Sequence, residues 1–131
     1  MIVLDASVVV ELLTNGLLAD SIRHDLAGRD DVFLVPHLLD IEVLSAIRGL
    51  ERSGNLDEVR AEEALADYSD LPIVRASCDA DQRHRIWSLR HNLTAYDAAY
   101  VALAARLDRP VWTRDAKVLA AAGRSARVVL V

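Results

Sequence analysis

Cysteine is nearly missing: Cys78 stands alone among 131 residues, so no disulfide can form within the chain and the fold must rest on a buried core. Proline, with three residues, and glycine, with five, are scarce. No stretch therefore reads as linker, low-complexity sequence or internal repeat. Lysine occurs once, at Lys117, and the net charge is −5, which excludes a protein that coats nucleic acid by bulk attraction. No apolar run is long enough to span a bilayer. The opening MIVLDASVVVELL is interrupted by Asp5 and Glu11, and it has neither the basic leader nor the small-residue cleavage site of a secretory signal. The expectation is a soluble, cytoplasmic chain forming one domain over residues 1–131.

What is present is apolar sequence, 53% of the chain, enough for a full core at this length. Its periodicity alternates between strand and helix. Ile2–Leu4 reads as a buried strand, with Ser7 as cap of the helix that follows. Leu17–Leu26 reads as a helix closed by Gly28, and Val32–Val35 as a strand ended by Pro36. Leu39, Val43, Ala46, Ile47 and Leu50 recur at helical spacing, and Ser53-Gly54-Asn55 ends that helix. Asp57–Tyr68 is an acidic amphipathic helix, Ile73 and Val74 a short strand, Asp79–His91 a helix, and Thr94 opens another that runs to Leu107. Strand Val111–Thr113, helix Asp115–Ala122 and strand Arg127–Leu130 close the chain. This alternation predicts an α/β fold, a three-layer sandwich around a central parallel sheet.

In such folds the working crevice lies at the carboxyl ends of the strands. Asp5, Asp97 and Asp115 fall there, and Glu42 sits one turn into its helix at the edge of the apolar stripe. Each has an ordinary explanation: Asp5 and Asp115 as helix caps, Thr94 to Asp97 as a capping box, Glu42 as partner of an arginine. Jointly they point further, because clustered carboxylates resist ionising together. An oxygen-only set suits Mg²⁺ or Mn²⁺, and metal-activated water is the chemistry of phosphodiester cleavage. Four such ligands with two divalent cations would take the net charge from −5 to about −1. The four histidines, His24, His37, His84 and His91, show no ligand spacing, and no glycine-rich phosphate cradle appears.

The segments Val3-Leu-Asp-Ala-Ser7, Leu39-Asp-Ile-Glu42-Val, Leu93-Thr-Ala-Tyr-Asp-Ala-Ala-Tyr-Val-Ala-Leu103 and Thr113-Arg-Asp115 resemble the four acidic motifs of PIN-domain ribonucleases, the VapC-type toxins of VapBC toxin–antitoxin pairs. They stand in that family's order and span nearly the whole chain. The resemblance implies that Asp5, Glu42, Asp97 and Asp115 form the metal and catalytic site, with Ser7 and Thr113 as supporting hydroxyls. It implies an RNA endonuclease using Mg²⁺ or Mn²⁺. It also implies a homodimer held inactive by a cognate VapB-type antitoxin, which threads an apolar groove and presents an arginine to the acids; contact with DNA would be indirect, through that antitoxin.

Val8, Val9, Leu12 and Leu13 are the candidates for such a groove, against plain core packing. For RNA contact the candidates are Arg83, Arg85, Arg90, Arg114 and Lys117, with Trp87 and Trp112 as surfaces for stacking unpaired bases. The Asp57–Asp70 helix is expected to face away from RNA. Two other readings stand beside this one. A receiver-like phosphoacceptor module also places acids at strand ends, and a PIN-type fold could serve as a scaffold without catalysis.

Overall fold

The computed structural model describes residues 1–29 and 32–131. The elements run β1 (Ile2–Leu4), α1 (Ala6–Leu13), α2 (Ala19–Leu26), β2 (Phe33–Pro36), α3 (Leu38–Arg52), α4 (Glu58–Asp70), β3 (Ile73–Ala76), α5 (Ala80–Ser88), α6 (Ala95–Leu107), β4 (Val111–Thr113), α7 (Ala116–Ala122) and β5 (Val128–Leu130). The strands form one sheet in the order β3-β2-β1-β4-β5, and every pair is parallel. The predicted three-layer α/β/α sandwich is what the chain forms. Its strand order differs from the 2-1-3-4-5 sheet of receiver modules, so the phosphoacceptor reading falls.

Helices α1 to α4 pack on one another, as do α5 and α6, while α7 shares a small apolar cluster with α6 through Val118, Ala122, Ala98 and Val101. The chain order reverses between β1 and β4, and this switch point opens the crevice at the carboxyl end of the sheet. Helix α6 is buried at every position from Ala98 to Ala104. A helix buried all round lies inside the layers rather than on them, and its alanines let it approach the sheet closely. Asp97 sits where that helix emerges at the crevice.

Several boundaries differ from the sequence reading for local reasons. Asp5, not Ser7, caps α1, accepting from the Val8 amide at 3.2 Å. Pro36 closes β2 from within, in register with Ala76; at the last strand position its missing N–H breaks no interior ladder bond. Helix α5 stops at Ser88 instead of His91, because the chain tightens there, with Arg90 N bonded to the Trp87 carbonyl and Leu93 N to that of Leu89. At the outer strand β3, Arg75 grips Asp40 of α3 with bonds as short as 2.7 Å, and Tyr68 of α4 donates to the same carboxylate. A charged latch on an edge strand discourages pairing with other chains. Among the described residues no helix is long and apolar enough to cross a membrane.

Candidate functional site

Asp5, Ala6, Ser7, Glu42, Asp97, Tyr100 and Asp115 line one cavity of about 180 Å³ at the switch point. The four predicted acids are thus brought together, from strand ends and helix starts of both helical layers. Asp5 is the most enclosed, at 9% exposure. Burial pushes its carboxyl pKa up, while hydrogen bonds from the Ser7 and Thr113 hydroxyls and the Val8 and Ser7 amides pull the other way. The Ser7 hydroxyl donates to Oδ1 at 2.5 Å. Burial also raises Glu42; the Tyr100 hydroxyl, which donates to Oε2, offsets part of that rise, and the charges of Asp97 and Asp5 add to it. Tyr100 is itself held firmly protonated by burial and by Glu42. Mutual repulsion of this kind marks a site built to receive positive charge.

The ordinary capping roles are realised as well, whereas Glu42 takes the Tyr100 hydroxyl as its partner and not an arginine. Asp5 and Asp115 cap α1 and α7, and Thr94 caps α6 by accepting from the Asp97 amide. Asp115 accepts from Lys117 N at 2.8 Å, and its own amide donates to the Thr113 hydroxyl at 3.0 Å. Capping and clustering are compatible, since a cap fixes where a carboxylate stands. Among the described residues no three acidic, histidine or cysteine side chains already converge as a closed ligand set. The acids ring the cavity without filling it. Their chemistry fits a hard divalent cation: oxygen donors only, two of them destabilised as bare anions.

The other candidates are scattered by comparison. Arg83 donates to the Cys78 carbonyl and Arg85 pairs with Asp81. Arg90 lies over the Trp87 ring, 4.6 Å from its centre, and both line a shallow apolar cavity with Arg83, Ile86 and Ala95. Lys117 is exposed. Trp87 is 64% exposed, but Trp112 is buried and belongs to the core, so it offers no face for base stacking. Arg114 turns onto α1, where Nη1 meets Glu11 Oε2 at 2.6 Å. Of the groove candidates, Val8 and Val9 are fully buried, whereas Leu12 and Leu13 line an apolar groove of about 390 Å³ with Leu26, Phe33 and Leu71.

Two residues of consequence escaped the sequence reading. Tyr100 lies one turn beyond Asp97 on α6, yet nothing local ties it to Glu42, 58 positions earlier. Glu11 looked only like an interruption of an apolar run.

A parallel α/β/α sandwich with carboxylates from four motifs round its switch point defines a class of acid-site α/β domains. The chain belongs to the PIN domain family, whose model matches residues 2–124. It is 39% identical over 133 residues to Ribonuclease VapC1 of Mycobacterium tuberculosis, covering 98% of this chain and 96% of that protein. It is 36% identical over 118 residues to VapC ribonuclease Mb0985 of Mycobacterium bovis, with 90% and 88% covered. Its fold matches VapBC2 from Rickettsia felis, solved bound to a promoter DNA fragment, with a TM-score of 0.71 at 12% identity over 99% of this chain and 98% of that one.

Proposed function

We propose that this protein is a metal-dependent endoribonuclease, the toxin half of a toxin–antitoxin pair, with Asp5, Glu42, Asp97 and Asp115 as its working site. The observation that carries the reading is the convergence of these four acids on one cavity at the switch point. Relatives named as ribonucleases along the whole chain support RNA as the substrate.

The four carboxylates would hold Mg²⁺ or Mn²⁺. A divalent cation so bound supplies a water of lowered pKa and neutralises charge on the phosphate. The chain's own residues prepare for it. Ser7, Thr113 and the Val8 amide favour the ionised form of Asp5 against the cost of burial, and Tyr100 orients Glu42 from the opposite layer. Supporting bonds of this kind typically govern affinity by about 10–100-fold. The apolar groove beside Leu12 and Leu13 suits a segment of the antitoxin partner, and an arginine on that partner would satisfy the acids by charge. A homodimer is part of the same proposal.

The test is Asp5→Asn and Asp97→Asn, assayed for RNA cleavage in Mg²⁺ or Mn²⁺. Each variant keeps side-chain shape and is expected to lose at least about a hundredfold in rate while remaining folded. Full activity in either would remove that carboxylate from the site, and a wild-type protein that cleaves no RNA in either metal would leave a scaffold as the better reading.

A further inference from the structure

We infer that Glu11, through Arg114, is a positioning residue for the Asp115 carboxylate; the inference rests on the proposed cation site. Ser7 and Glu11 stand one turn apart on the same face of α1. Both engage Arg114. Its backbone amide donates to Ser7 Oγ at 3.0 Å, and its guanidinium reaches Glu11 Oε2 at 2.6 Å. Ser7 in turn donates to Asp5. One residue is therefore clamped along a helix face at two points, and the next residue in sequence is Asp115.

The clamp is built, not incidental. Glu11 is 7% exposed, and its other oxygen accepts from the Leu18 amide at 2.7 Å. The turn after α1 closes over it so tightly that a Cβ on Gly16 would lie 2.4 Å from the carboxylate. A pair whose carboxylate is buried but whose guanidinium is 39% exposed adds little net stability over apolar residues of the same size. What it does supply is placement. The contacts Asp115 makes by itself run to Thr113 and Lys117, inside its own segment. Thr113 bonds that segment to Asp5 itself, and Arg114 adds two further fastenings along α1, to Ser7 and Glu11.

The experiment compares wild type, Glu11→Gln and the paired replacement Glu11→Met with Arg114→Met. Mn²⁺ binding is measured by calorimetry and RNA cleavage as kcat and KM. The expected result is Mn²⁺ affinity and kcat each lowered about tenfold in both variants, with KM for RNA within about twofold of wild type. The paired variant removes both charges together and leaves neither unpaired, so it is expected to fold even where Glu11→Gln does not. Folded variants that bind Mn²⁺ and turn over like wild type, or that change only KM, overturn the positioning role while leaving the site reading intact. A wild-type protein that neither binds Mn²⁺ nor cleaves RNA overturns the site reading itself, and this inference with it.

Discussion

The two ends of α1 meet opposite kinds of surface. Its start carries Asp5 into a cavity ringed by carboxylates at the carboxyl end of the sheet; its end carries Leu12 and Leu13 into an apolar groove with Phe33, from the amino end of β2, and Leu71. Eight residues separate a site that repels its own charges from one that exposes carbon to water. The first is unsatisfied electrostatically and the second hydrophobically, so each asks for a different partner. A cation or an arginine answers the acids, and an apolar segment answers the groove. On the proposed function, catalysis at the acids and inhibition at the groove should be separable by mutation, although one helix borders both.

The strongest way to break the comparison is to charge the groove. Leu12→Glu is expected to weaken antitoxin binding by about 2 kcal/mol, roughly 30-fold in Kd, while Mn²⁺-dependent cleavage by the free protein persists. Titration calorimetry with the antitoxin and a cleavage assay give the two numbers. Equal loss of both would mean that the two surfaces are one site.

A second test sharpens the electrostatic half. The folded pKa values of Asp5 and Glu42 are raised by burial. Their contribution to the stability of the metal-free protein is therefore fully present below the ordinary carboxylate range and is lost as pH rises through the folded values. Mn²⁺ affinity moves the opposite way, because the ligands must be ionised. Lowering the pH from neutrality toward 5 is expected to weaken Mn²⁺ binding several-fold, and Asp5→Asn is expected to gain melting temperature relative to wild type at pH 7 more than at pH 4. A gain independent of pH would remove charge as the cause.

The smallest effect concerns RNA on the outer surface. Arg85→Ala is expected to flatten the salt dependence of RNA binding by at most about one unit of slope, since each phosphate contact contributes roughly that much. Arg60→Ala, on the acidic helix α4 and paired with Glu63, is expected to leave binding unchanged. Affinities over a salt series in Ca²⁺ distinguish the two, and a larger effect at Arg60 would move the RNA path to the other layer.

Much of this was legible in sequence, and for identifiable reasons. The strands Ile2–Leu4 and Val111–Thr113 were read with the bounds they have, because short apolar runs between polar residues leave little choice when both faces are buried. Asp5, Asp97 and Asp115 were legible because each ends a strand or opens a helix, and Glu42 because it stands at the edge of an apolar stripe one turn into α3. What stayed hidden were the pairings across the fold that no motif carries. Glu11 and Arg114 are 103 positions apart, Tyr100 and Glu42 58, and local periodicity carries no signal over such distances. The cap of α1 was offered at Ser7 as well as at Asp5, two residues apart, because both are good capping types; Asp5 takes it, and the hydroxyl is needed instead to hold the carboxylate.

That small displacement reaches further than bookkeeping of a helix boundary. Oδ1 of Asp5 already receives the Val8 amide and the Ser7 hydroxyl, so anything that draws on this oxygen competes with the first turn of α1. Fraying at the amino end of the helix and filling of the cavity are then opposing demands on one atom. The Val8 amide becomes a natural gauge: its exchange with solvent reads out, residue by residue, how the protein divides that oxygen between holding its own backbone and holding a guest.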